Sequence, residues 1–192
     1  MTGIRQVRLS EIVGKGYDCF WNDRSMYEQL KGGRSSKKSA TMALRTIYRM
    51  MKYPDANMLV VRRVYGTLKD SCFAQLLWAI DRLDVTKYWK VNTNPLLLTY
   101  KPTGQQIIFR GLDDPLKITS IAVRRGYLCW VWIEEAYEIT DPESFRKLEL
   151  SIRGRIPPST GLFKQFTFTF NPWRENWIKE RFWDVPQDNV FL

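Results

Sequence analysis

Hydrophobic and polar positions along the chain fall into short blocks that switch between two periods. Residues 26–31 (MYEQLK) read as a short strand running into Gly32 and Gly33. A helix follows, because Ala40, Ala43, Leu44, Ile47, Tyr48 and Met51 recur at helical steps and make one apolar face. Ser39 or the loop before it caps its start, and Pro54-Asp55 ends it. On that face count, Arg45, Arg49 and Lys52 point outward. Residues 57–63 (NMLVVRR) form a compact buried strand. Residues 66–84 form a second helix, with Leu68, Cys72, Leu76 and Ile80 on one stripe. LLLTY and QIIFR, separated by Lys101-Pro102-Thr103-Gly104, are expected to pair as a hairpin. Residues 127–133 (YLCWVWI) are apolar without alternation, the pattern of a central strand covered on both faces. Asp141-Pro142 opens another helix, with Asp at the cap and Pro in the first turn. Residues 162–170 (LFKQFTFTF) read as the last strand and residues 174–182 as a short helix. Strands alternating with helices imply an α/β fold with a mostly parallel central sheet flanked by helices.

Composition narrows the function. The 192 residues carry no visible repeat or low-complexity linker, so one domain spanning 1–192 is expected. Hydrophobic residues make up 44% and aromatic residues 14%, enough for a core and too many for a disordered chain. The net charge of +10 calls for an anionic partner, with nucleic acid the first candidate. Histidine is absent, which removes His-based acid–base chemistry, Ser-His-Asp triads and His-ligated zinc. Cys19, Cys72 and Cys129 are odd in number and far apart, so they read as free thiols of a reducing cytoplasm. The N-terminus has no signal-peptide core, and the longest apolar run, residues 127–133, is too short to span a bilayer. A soluble intracellular protein is expected.

Three places carry candidate chemistry. The first is KGGRSSKKS, residues 31–39. Aligned from Gly32, it fits a phosphate-binding loop (Gly32, Gly33, Arg34, Ser35, Ser36, Lys37, Lys38, Ser39) but puts Lys37 where the second Gly belongs. Its strand–loop–helix setting suits phosphate, since a helix start offers free N–H groups and the positive end of a dipole. Lys38 would reach the β- and γ-phosphates of ATP, and the Ser39 hydroxyl would ligate Mg²⁺. A left-handed backbone at Lys37 would cost about 1–2 kcal/mol, and Gly32 and Gly33 offer another path that avoids it. Lys37 is expected to point to solvent. The second place is YLCWVWIEEA, an apolar strand ending in two acids. Glu134 would hold Mg²⁺, and Glu135 would activate the attacking water. The third is FTFTFNP, where Thr169 and Asn171 end an apolar strand next to Pro172 and could sense the γ-phosphate. Each pattern alone also occurs as an ordinary turn or strand end.

Together and in this order, the three motifs resemble the ATPase domain of phage terminase large subunits, in particular the PBSX-like group. The resemblance extends to LVVRRVYGTLKDSCFAQL (residues 59–76) and to IIFRGLDDPLKITSI (residues 107–121), and covers most of residues 26–172. It implies an ASCE-type P-loop NTPase fold and ATP hydrolysis that drives double-stranded viral DNA into a prohead. It also implies an arginine, before the strand that ends in Glu134 and Glu135, that completes a neighbouring subunit's site. Arg124 and Arg125 match, with Arg124 preferred. Arg34 is a second arginine able to meet the γ-phosphate in cis. The segment from Thr169 to Pro172 matches the motif that couples hydrolysis to movement. Against the family pattern, Lys37 replaces Gly and Glu134 stands where Asp is commoner. The family's nuclease domain has no counterpart in the chain, which is expected to be the motor domain alone.

The partners implied are double-stranded DNA, contacted without sequence preference, the portal, the small terminase subunit and further copies in a ring on the prohead. The isolated domain is expected to be monomeric, in the cytoplasm of the infected bacterium, with no membrane contact. Residues 31–52 hold seven basic residues and no acid, available to nucleotide, DNA or a neighbouring subunit. Tyr17, Phe20, Trp21 and Gln29 are candidates for the adenine side, although core packing suits the aromatics better. The alternatives are a helicase-like nucleic-acid-dependent ATPase, and a nucleotide-dependent DNA-binding or assembly protein with little turnover.

Overall fold

The computed structural model describes residues 9–13, 16–113, 121–152, 154–173, 175–184 and 190–191. Two short N-terminal helices, α1 (Leu9–Val13) and α2 (Asp18–Asn22), precede strand β1 (Tyr27–Lys31). Helix α3 (Lys38–Lys52) and strand β2 (Ala56–Arg62) follow, then α4 (Ala74–Arg82). Three strands come next, β3 (Trp89–Thr93), β4 (Leu96–Tyr100) and β5 (Gln106–Gly111). The chain ends with β6 (Tyr127–Glu134), α5 (Pro142–Ser151), β7 (Gln165–Phe170), α6 (Trp177–Phe182) and the short β8 (Val190–Phe191).

These eight strands form one sheet in the order β3-β4-β5-β2-β6-β7-β1-β8. From β5 to β8 every neighbouring pair is parallel, and only β3-β4 and β4-β5 are antiparallel. The expected hairpin is therefore β4-β5, and β3 extends it into a three-stranded edge. β7 is not the last strand, since β8 pairs with β1 beyond it. The part of the signature at residues 114–120, and Arg174, lie outside the described residues.

The apolar strands lack alternation because both faces are covered. On β2, Met58 and Val60 join one buried cluster while Leu59 and Val61 join the other. On β6, Trp130 and Trp132 divide from Val131 and Ile133 in the same way. The first cluster lies under α3 and α4, the second under α5 and α6. Asp141 caps α5 as its sequence predicts, accepting the Glu143 N–H at 3.0 Å. Among the described residues no helix is long and apolar enough to cross a membrane.

Two expectations fail on the helices. Residues 66–84 are not one α-helix. A 3₁₀ turn (Tyr65–Thr67) and a π-helical turn (Lys69–Phe73) precede α4. The stripe Leu68, Cys72, Leu76, Ile80 is still fully buried. Its strict four-residue spacing drifts around a helix of 3.6 residues per turn, and the wider π turn offsets that drift. Nor do Arg45 and Arg49 point outward. They are 1% and 6% exposed, whereas Tyr48, counted on the apolar face, is 41% exposed; Lys52 is exposed as expected. The reason lies on β7. Its Phe166, Phe168 and Phe170 face the α5 side, which sends Gln165, Thr167 and Thr169 under α3 as a buried polar row. Arg49 reaches Gln165 Oε1 at 2.6 Å, and Arg45 meets Thr167 and Glu28.

Candidate active site

β1 brings the chain to the carboxyl edge of the sheet and α3 carries it away. The loop between them passes twice through left-handed backbone, at Ser35 (φ 66°) and Lys37 (φ 62°). The expected detour through Gly32 and Gly33 is therefore not taken. Lys37 is the N-cap of α3, and its carbonyl accepts the Thr41 N–H at 2.9 Å, so the left-handed turn lies immediately before the helix starts at Lys38. Its side chain is exposed, as expected. Lys37→Gly should raise stability by about 0.5–1 kcal/mol, the left-handed penalty less the extra freedom Gly gives the unfolded chain. Chemical denaturation checks this, and an unchanged or lower midpoint would contradict it.

Among the described residues no side chain caps α3, so the N–H groups of its first turn remain available to an anion. Lys38 lies across the loop. Its ammonium donates to the Gly32 and Gly33 carbonyls at 2.8 and 3.1 Å and to Ser36 Oγ at 3.1 Å. It also donates to Asn171 Oδ1 at 2.8 Å, which joins the first and third motifs directly. Partial burial pulls the Lys38 pKa down, against the opposing charge of Glu135. A pocket of about 270 Å³ is lined by residues 33–40, Gln75, Glu135 and the segment from Thr169 to Asn171. Arg34 and Ser39 belong to that lining.

The two acids separate at the end of β6. Glu134 ends the strand on the α3–α4 side and is 6% exposed. Its Oε2 accepts the Cys72 thiol at 2.8 Å and lies 4.0 Å from Arg62, whose closer partner is Glu138 at 3.0 Å. Burial and the Glu134 charge push the Cys72 thiol well above its ordinary pKa, so it stays protonated and donates. Glu135 follows with left-handed backbone (φ 48°, ψ 50°), a strained turn that sends its side chain into the pocket. Burial, with the neighbouring Glu134 charge, raises the Glu135 pKa.

Arg124 is not brought to this pocket. It precedes the start of β6, whereas the phosphate loop follows the end of β1, and the two strands run parallel through β7. Eight residues of strand, roughly 25 Å, separate the two edges. Arg124 is exposed and forms no ion pair among the described residues, whereas Arg125 pairs with Asp55 at 3.4 Å. The turn behind them requires Gly126, with φ 70° and a Cβ position only 2.0 Å from the Asp55 carbonyl oxygen.

Of the adenine-side candidates, Tyr17 reaches the loop, its hydroxyl donating to the Ser36 carbonyl. Phe20 is buried beneath the Arg45 guanidinium, Trp21 packs on Tyr48, and Gln29 accepts the Trp183 indole N–H at 2.6 Å. Gln75, Arg62 and the role of Cys72 escaped sequence reading: all three lie in the resembling segment 59–76, but no local pattern there marks them for the site. The signature segment has a structural part. Asp113 accepts the Tyr65 N–H at 3.3 Å, and Gly111 leaves no room for a Cβ beside Tyr65. This ties β5 to the connection that carries Cys72. The oxygen groups of Ser39 and Glu134 are of the kind Mg²⁺ takes, few in number beside phosphate and water; Ser39 lines the pocket, and Glu134 immediately precedes its lining residue Glu135. Glu134 Oε1 accepts no hydrogen bond among the described residues and can serve the ion.

The model of the family described as phage terminase large subunit matches residues 24–190. The chain is 39% identical to the terminase large subunit of Bacillus phage SPP1 over 93% of its own length and 43% of that protein. It is 34% identical to the PBSX phage terminase large subunit of Bacillus subtilis (strain 168), over 73% of its length and 31% of that protein. It thus spans less than half of these curated relatives. Among solved structures, the N-terminal domain of the DNA packaging ATPase from bacteriophage phi29 is similar in fold. Its TM-score is 0.65 at 13% identity, covering 91% of this chain and 92% of that one. The large terminase of a thermophilic bacteriophage, in complex with ATP-gamma-S, gives a TM-score of 0.60 at 13% identity, covering 87% and 38%. The sheet order with β7 between the phosphate-loop strand and the two-acid strand is thus that of the P-loop fold, and the chain belongs to the phage terminase large subunit family.

Proposed function

We propose that this chain is the ATPase domain of a DNA-packaging motor, hydrolysing ATP to move double-stranded DNA into a prohead. The observation that carries this reading is the meeting at Lys38. One ammonium bonds both the phosphate loop and Asn171, in a pocket that Glu135 also lines. The thermophilic-phage terminase of the same fold binds ATP-gamma-S, and the phi29 relative is a DNA packaging ATPase.

In this reading the loop from Gly32 to Ser39 cradles the phosphates, and Lys38 exchanges its loop carbonyls for phosphate oxygens. Ser39 and Glu134 would hold Mg²⁺, which when bound would neutralise charge on the nucleotide phosphates. Glu135 orients and deprotonates the attacking water. Arg34 stays close enough to the pocket to meet the γ-phosphate in cis. Arg124, far from its own pocket, serves the neighbouring copy's. When Lys38 changes partners, Asn171 loses its ammonium contact, which couples nucleotide state to β7. Double-stranded DNA, the portal, the small terminase subunit and sister copies in a ring are the partners, in the host cytoplasm.

Lys38→Ala tests the site. It removes the ammonium that hydrogen-bonds both the phosphate loop and Asn171, and ATP affinity should fall at least about tenfold, as expected for a lost charged hydrogen bond. Calorimetric titration with ATP measures it, and wild-type affinity in a folded variant would refute the site. ATP-driven duplex translocation without strand separation would set the motor apart from a helicase-like ATPase. Tight ATP binding without phosphate release would favour an assembly role.

A further inference from the structure

Glu134 has one methylene more than the Asp commoner at this position, and hence one more torsion to hold. Something must fix its carboxylate if it is to serve a metal ion. The π-helical turn (Lys69–Phe73) between β2 and α4 brings Cys72 to it. The Cys72 thiol donates to Oε2 at 2.8 Å, with the cysteine fully buried and the carboxylate nearly so. Arg62 approaches the same oxygen at 4.0 Å while committed to Glu138. Both neighbours therefore engage Oε2, and among the described residues Oε1 accepts no hydrogen bond. Leu68 and Leu76, one turn to either side, are fully buried and hold Cys72 in place.

We infer that Cys72 is a positioning residue for Glu134: its thiol fixes Oε2 and so presents Oε1 to the metal that accompanies the nucleotide. This rests on the reading of Glu134 as a Mg²⁺ residue. Groups that orient a metal-binding carboxylate characteristically change metal affinity by about 10–100-fold when removed. A thiol also suits the place sterically, since it is small, mostly apolar and a donor.

The test measures binding of ATP-gamma-S to the full chain by calorimetry, once in EDTA and once in Mg²⁺. The ratio of the two affinities is the gain due to metal, and it does not depend on turnover. Cys72→Val fills the space without a donor and should lose about tenfold of that gain, with affinity in EDTA unchanged. Cys72→Ser keeps a donor and should retain the gain to within about threefold, a margin set by its shorter reach. Thermal melts confirm that each variant folds, and Cys72→Ala replaces the valine variant if that one does not. A wild-type gain in the donorless variant, or a loss in Cys72→Ser equal to it, overturns the proposal. Glu134→Gln separates the two levels. If it keeps the metal gain, the Mg²⁺ reading of Glu134 falls and the proposal with it. If it loses the gain while Cys72→Val does not, only the role of Cys72 falls.

Discussion

Glu135→Gln is expected to lower ATP turnover by about 10²–10⁴-fold, the usual contribution of a positioned general base. The substitution keeps the shape and the left-handed turn at residue 135 but removes the ability to take a proton. Burial and the adjacent Glu134 charge raise the carboxyl's pKa, which makes it a stronger base than an exposed glutamate. Nucleotide affinity should hold or rise. The loop and Lys38 still provide the phosphate contacts, and one negative charge leaves a pocket that must accept a polyanion. Steady-state phosphate release, compared with ATP titration of the same preparations, separates the two effects. Arg124 acts on a neighbouring copy in the proposed mechanism. The comparison is therefore made at concentrations or on proheads where copies assemble, since the isolated domain should turn over slowly. Turnover within a few-fold of wild type would remove Glu135 from the chemistry.

The second large effect concerns the base of the phosphate-loop helix. Arg45 and Glu28 are 1% and 0% exposed. Arg45 Nη1 donates to Glu28 Oε1 and to the Phe20 carbonyl, both at 2.6 Å, and Nη2 makes a second bond to the carboxylate. Thr167 donates to Glu28 Oε2 at 2.7 Å, and the guanidinium lies 3.5 Å from the Phe20 ring centroid. Burial pushes the Glu28 pKa up, and the Arg45 fork works against that. Arg49 lies beside this group, and burial together with the Arg45 charge pulls its pKa down to about 9. One carboxylate thus serves two buried cations. Glu28→Ala should cost about 3–5 kcal/mol, since it leaves Arg45 unpaired and takes from Arg49 the largest of its compensating charges. The double variant Glu28→Ala/Arg45→Met should cost less than Glu28→Ala alone, because no buried charge is then abandoned. Urea denaturation of the single and double variants checks both statements. A loss below about 1 kcal/mol in Glu28→Ala would show that water or rearrangement replaces the pair. Because the network anchors α3 to β1 and β7, the same variant should also loosen nucleotide binding at Lys38.

This network marks the boundary of what periodicity can reveal. The apolar positions of residues 40–51 located α3 to within two residues at its start, yet the face rule assigned Arg45 and Arg49 to solvent. Their burial depends on β7, more than a hundred residues later, which turns Gln165 and Thr167 toward the same helix. A helical pattern records which positions are apolar, and carries no record of a buried polar partner on a distant strand. For the same reason the Phe-Thr alternation of β7 does not disclose that every residue of that strand is buried.

By itself, the sequence determined the local parts: a strand–loop–helix with Lys38 and Ser39 in register, a two-faced apolar strand ending in Glu134 and Glu135, and the segment that ends in Asn171. Each is set by neighbours within a few residues, through backbone preference and the burial of side chains on adjacent turns. Tertiary structure alone decided how they combine. It put a left-handed turn at Lys37, immediately before α3 begins. It set Asn171 on the Lys38 ammonium, Cys72 on Glu134, and Arg124 at the edge of the sheet away from its own pocket. Those relations follow from strand order and from which charges must be neutralised out of water, and both are properties of the assembled sheet.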